Sequence, residues 1–74
     1  MASENHKNSL IMFGNHLKVL RKSKGLSHRK LAAKCNIDHA DLVRYEKGDI
    51  NMSFNSLIEL SQGLEITLKD LMDF

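Results

Sequence analysis

Gly25, Asn36 and Gly48 punctuate the middle of this chain at near-equal intervals. Glycine and asparagine tolerate the left-handed conformation that a helix C-terminus needs. Two residues after Gly25 stands Ser27, and two after Asn36 stands Asp38. Both side chains can accept hydrogen bonds from the amides of a helix's first turn. A chain with stop and start signals this close together must fold as several short helices. It sustains no heptad for a coiled coil and no period-2 run for a sheet. Proline is absent, and apolar residues recur at three and four.

The spacing predicts five helices. The first runs from about Ser9 to Lys24, with Phe13, Leu17 and Leu20 on one stripe and a basic last turn before Gly25. Gly14 costs it some helix propensity. The second begins after the cap Ser27 and runs from His28 to Cys35, stopping at Asn36. Ile37 returns an apolar side chain to the core. The third is capped by Asp38, with Asp41 three residues on as in a capping box, and runs from His39 to about Lys47. Leu42 and Tyr45 mark its buried side. The fourth runs from about Met52 or Ser53 to Gly63, with Leu57, Leu60 and Leu64 in a stripe. Thr67 caps a short last helix containing Leu68, Leu71 and Met72. Residues 1–8 read as a mobile tail and 9–74 as one folded domain.

At 74 residues and 42% hydrophobic content there is one core and little room for an enclosed active site. No catalytic acid, base or nucleophile arrangement is visible, and the expectation is a binding module, not an enzyme. No apolar run approaches the roughly 18 residues of a membrane span. The polar N-terminus has no signal-peptide core. Cys35 is the single cysteine, so no internal disulfide forms and a reducing cytosol is expected. His6, His16, His28 and His39 are scattered, without zinc-ligand spacing to Cys35, and neither a metal nor a cofactor is expected. Charge is polarised along the chain. Residues 18–47 hold nine basic side chains against three acidic ones, and residues 48–74 hold one against five. A basic central segment with an acidic C-terminal third points to a polyanion, above all nucleic acid.

Helices 2 and 3 are separated by only about three residues, the geometry of a helix-turn-helix. From Phe13 to Leu71 the chain resembles the phage repressor and Cro-type helix-turn-helix family, an all-α, lambda-repressor-like fold. The resemblance rests on Phe13–Arg21, Gly25–Ala32 and Leu42–Gly48 taken in order. By its size the chain is similar to small controller or repressor proteins of that kind. Ala32 then lies where helix 2 passes close to helix 3. The resemblance implies an ion pair between Arg21, ending helix 1, and Glu46, closing helix 3.

The resemblance also makes helix 3 the reader of DNA. His39, Ala40, Val43 and Arg44 fall at base-contacting positions, and an arginine there can bond guanine O6 and N7 together. Backbone contacts fall to Ser27, His28, Arg29, Lys30 and Lys47, with Lys24 a further candidate. His28 stands where the family usually has a phosphate-binding glutamine. Asp41 either caps or accepts from cytosine N4. A second departure is Met52, read at the first position of helix 4 in place of the usual proline. With Ile50, Leu71, Met72 and Phe74 it forms a candidate dimer surface. The alternative is that these residues close the core.

The expected function is a complete small transcriptional regulator in the cytoplasm, at the nucleoid. It binds a pseudo-palindromic operator in double-stranded DNA as a homodimer, and RNA polymerase is the machinery it blocks or contacts. Two rivals stand beside it. One is an antitoxin that binds DNA and a toxin partner. The other is an interaction module without specific DNA binding.

Overall fold

The computed structural model describes residues 3–74. Its elements are α1 (Ser3–Ser23), α2 (His28–Cys35), α3 (His39–Lys47), α4 (Phe54–Leu64) and α5 (Leu68–Leu71). No strand occurs among the described residues. α1 packs on α3, α2 packs on α4 and on α3, and α5 closes against α4. The core is Phe13 and Leu17 of α1, Leu31, Ala32 and Cys35 of α2, Leu42 and Tyr45 of α3, Leu60 and Leu64 of α4, and Leu71 of α5. Each comes from the apolar stripe of its own helix, so the amphipathic faces converge on one interior.

α1 begins at Ser3, six residues before the expected Ser9. Residues 3–8 thus continue the helix where a mobile tail was expected, while Met1 and Ala2 lie outside the described residues. The physical reason is that nothing from Ser3 to Phe13 breaks a helix. Once the packed part of α1 is nucleated, each added turn forms its own hydrogen bonds at little cost.

The caps explain most of the other boundaries. Ser27 Oγ accepts from the Lys30 amide at 3.1 Å, Ser53 Oγ from the Ser56 amide at 3.1 Å, and Thr67 Oγ1 from the Asp70 amide at 3.0 Å. α4 therefore starts at Phe54, and Phe54, not Met52, holds its first position. Asp38 occupies the N-cap position of α3 with extended backbone, but its side chain makes no capping bond. The expected capping box is absent as well. Asp41 Oδ1 lies 3.6 Å from Arg44 Nη1, an i,i+3 pair that draws it along the helix surface and away from the N-terminal amides.

Asn36 and Gly48 end α2 and α3 in the left-handed region, at φ 57° and 74°. α4 runs one residue past Gly63 and ends on Glu65, also left-handed at φ 59°. Gly63 is inside the helix because a Cβ there would collide with Cys35 Sγ. Gly14 has the matching role between α1 and α3. A Cβ on it would stand 2.6 Å from the Tyr45 carbonyl oxygen. The two glycines let two helix pairs approach at backbone distance, and this close approach sets α3 against α1.

Candidate nucleic-acid interface

Three helices meet at one buried carboxylate. Glu46, near the end of α3, is 8% exposed, and Arg21 of α1 is 6% exposed. Arg21 Nε donates to Glu46 Oε2 at 2.6 Å, and Nη2 donates to Oε1 at 3.2 Å. Arg21 Nη1 donates to the Leu26 carbonyl at 2.9 Å, which ties in the turn before α2. His28, the first residue of α2, sets its Nε2 2.9 Å from Glu46 Oε1. Such a two-pronged pair fixes the angle between guanidinium and carboxylate as well as their distance. α3 is thereby held by its C-terminal end to both α1 and α2.

With its inner side engaged by Leu42, Tyr45 and Glu46, α3 turns its other face outward. Ala40, Arg44 and Lys47 are exposed, and His39 and Val43 are half-buried on the same face. The four residues expected to read bases are thus brought together along one stripe. Arg44 is partly held by Asp41. Ser27, Arg29 and Lys30 are exposed at the start of α2, and Lys24 in the turn before it. Ser27 Oγ is engaged as the cap acceptor, which leaves its hydroxyl hydrogen to donate. His28 turns Nε2 to Glu46, and its ring meets His39 edge-on at 6.1 Å between centroids, with Nδ1 left without a hydrogen-bond partner among the described residues. The residue type at position 28 alone cannot reveal this, because the partner carboxylate lies on another helix.

The expected dimer surface divides. Leu71 is fully buried and belongs to the core, because α5 is one turn long and points that side chain inward. Ile50 and Met52 are half-buried and pack against the core. Met72 and Phe74 are exposed at 42% and 48%. The Phe74 ring packs edge-on to Phe13 with centroids 5.6 Å apart. An apolar groove runs along this side, lined by Leu10, Phe13, Met52, Leu57, Met72 and Phe74. Phe54, 65% exposed, was missed by the sequence reading. The Ser53 cap makes Phe54 the first helical residue of α4, where its side chain is exposed.

Among the described residues no His, Cys, Asp or Glu group is arranged to hold a metal ion, and no helix is long and apolar enough to cross a membrane. Burial pushes the Cys35 thiol up to about 11, with nearby Glu59 adding to the shift. That makes it a packed side chain and a poor nucleophile.

Known proteins are similar to this chain in sequence and fold. A helix-turn-helix family model matches residues 17–71. The chain is 32% identical over 68 residues to control protein C.BamHI of Bacillus amyloliquefaciens, covering 90% of this chain and 84% of that protein. It is 44% identical over 62 residues to control protein C.MunI of a Mycoplasma species, covering 82% of this chain and 84% of that protein. The crystal structure of the restriction-modification controller protein C.AhdI from Aeromonas hydrophila superposes with a TM-score of 0.82 at 34% identity. The match covers 84% of this chain and 94% of that one. The buried Arg21–Glu46 hub, the α2–α3 turn and these matches together make the chain a member of the helix-turn-helix family.

Proposed function

We propose that this protein is a transcriptional regulator of the restriction-modification controller kind. It binds a pseudo-palindromic operator in double-stranded DNA as a homodimer, with α3 in the major groove. The observation that carries this reading is the stripe of His39, Ala40, Val43 and Arg44, presented outward while Glu46 anchors the other side of α3. An α-helix fits the major groove, and side chains along its outer face reach base edges. Arg44 reads guanine through two parallel hydrogen bonds. His39 donates, and Ala40 and Val43 meet thymine methyl groups. Ser27, Arg29, Lys30 and Lys47 contact phosphates and set the register.

The apolar groove with Met72 and Phe74 supports a two-fold partner, and Phe54 is a further exposed apolar side chain. Two copies related by a two-fold axis place their α3 helices one helical turn apart, about 34 Å. Occupancy then depends on protein concentration through dimerisation. Occlusion of RNA polymerase, at the nucleoid in the cytoplasm, is the simplest output. The relatives are regulators, and no catalytic role is proposed for this chain.

Selection from random duplex DNA at about 150 mM salt, a concentration at which phosphate attraction alone is weak, tests the reading. The expected result is an inverted repeat with half-site centres about 10 bp apart. Arg44→Ala should relax the preference at one base pair per half-site, by about 1–3 kcal/mol. Binding without any enriched sequence, and with a steep salt dependence, overturns the proposal.

A further inference from the structure

A notch lies between α1, α2 and α3. Asn15 and Lys18 line it from α1, His28 from α2, and Val43, Glu46 and Lys47 from α3. It opens beside the DNA-reading stripe, because Val43 belongs to both. Its only carboxylate is already engaged: both Glu46 oxygens accept from the buried Arg21 guanidinium. The groups left for an incoming ligand are two lysines, an amide and an imidazole. This set suits an anion with several acceptor oxygens.

The imidazole has a particular constraint. An ionised carboxylate only accepts hydrogen bonds, so at 2.9 Å from Glu46 Oε1 the His28 Nε2 must carry the hydrogen. In the neutral ring Nδ1 is then an acceptor, whose lone pair repels an anion. A second proton turns Nδ1 into a donor and gives the ring a positive charge. His28 is one-third exposed, and Nδ1 has no hydrogen-bond partner among the described residues. The charged and titratable groups around the ring are Arg21 and Lys18 from α1, Glu46, Lys47 and His39 from α3, and the neighbouring Arg29 on α2 itself. Arg21, Lys18, Lys47 and Arg29 outnumber the one carboxylate of Glu46, and a phosphate offsets that excess.

We propose that the notch seats a DNA backbone phosphate, with Lys18 and Asn15 of α1 joining His28 and Lys47, and that seating it adds a proton to His28 Nδ1. The inference rests on the DNA-binding reading above. It extends the backbone contacts to α1, and it makes DNA affinity depend on pH. A glutamine at this position would donate to the carboxylate or to a phosphate without titrating, so histidine makes the contact conditional.

The test uses the full chain and a fluorescent duplex carrying the selected inverted repeat. Anisotropy gives Kd at about pH 6 and about pH 8 at constant ionic strength. One linked proton changes affinity by at most about tenfold per pH unit. The wild type should therefore bind several-fold to about tenfold more tightly at the lower pH. His28→Gln keeps a donor for Glu46 but cannot titrate, and its ratio should fall to within about twofold. Lys18→Gln should lower the slope of log K against log salt by about one phosphate's worth. Nitrogen-15 NMR of the wild-type ring gives a readout independent of any variant's folding: His28 Nδ1 should gain a proton on binding near neutral pH. If His28→Gln retains the wild-type pH ratio, or if Nδ1 stays unprotonated in the complex, the inference is overturned while the operator reading stands. If the selection enriches no sequence, both fall together.

Discussion

Glu46→Ala is the most demanding test of the three-helix hub. The substitution leaves the Arg21 guanidinium, 6% exposed, with the Leu26 carbonyl at 2.9 Å as its remaining partner. Removing one member of a buried pair typically costs about 3–5 kcal/mol, because the other charge stays in a poorly hydrated site. A domain of this size has roughly 4–11 kcal/mol of stability in all. The variant should therefore lose about a quarter or more of its folding free energy. With a urea m-value of about 1 kcal/mol/M, the midpoint falls by about 3–5 M. Circular dichroism through a urea titration measures this directly. The Lys34–Glu65 pair supplies the contrast. It spans 3.5 Å with side chains 44% and 75% exposed, and Lys34→Ala should cost under about 1 kcal/mol. Replacing both hub partners together, Arg21→Met with Glu46→Leu, should recover much of the loss, since no buried charge is then stranded. Among variants still folded, Glu46→Ala should also bind DNA more weakly, because Glu46 orients α3 from its inner side. A Glu46→Ala cost below about 1 kcal/mol would show that Arg21 finds water or another partner, and the hub would then be no more than a surface ion pair.

Three further perturbations separate packing from backbone effects. Gly14→Ala improves helix propensity by about 1 kcal/mol but drives a Cβ to 2.6 Å from the Tyr45 carbonyl oxygen, so a net loss of roughly 1–3 kcal/mol is expected. A rise in melting temperature would mean that α1 and α3 can part freely. Glu65→Gly should be stabilising, because it relieves a left-handed glutamate at φ 59° and gives up only an exposed ion pair. A gain of about 0.5–1 kcal/mol corresponds to a few degrees in calorimetry, and a lower melting temperature would contradict the strain argument. Cys35 should resist alkylation in the folded protein at about pH 8 and react rapidly in denaturant, since its thiol is buried and shifted up to about 11. Fast labelling of the native chain would show that α2 and α4 open. The sign follows from the shift: the unfolded thiol ionises first, so Cys35 withdraws stability as pH rises from about 9 to about 11.

What was legible in the sequence was local. The stop signals at Asn36 and Gly48 and the caps Ser27 and Thr67 involve partners within four residues, and each is found in the structure. Asp38 is the instructive failure. Its residue type suits a cap, yet its side chain makes no capping bond, and Arg44 one turn along draws off the Asp41 expected to complete the box. A backbone amide and a guanidinium competing for one carboxylate cannot be ranked from spacing alone. Leu71 was left between a dimer surface and the core, and it lies in the core. A helix of four residues has no face long enough to show a period, so exposed and buried positions in α5 look alike in sequence.

The long-range part was legible only where a resemblance supplied it. Arg21 and Glu46 are 25 positions apart, and nothing in their local sequence pairs them. Gly14 reads locally as a defect in α1, with a cost and no visible return. The structure assigns that return to α3, whose carbonyl oxygens occupy the space a side chain would need. The same approach aligns α3 beside α1, next to the Arg21 that meets Glu46. Gly14 therefore sets how close the reading helix lies and Glu46 sets its angle, and α3 needs both. A larger residue at position 14 should weaken sequence discrimination even in a variant stabilised elsewhere to full folding. The stripe of Ala40, Val43 and Arg44 would still be complete, but it would enter the groove at the wrong depth.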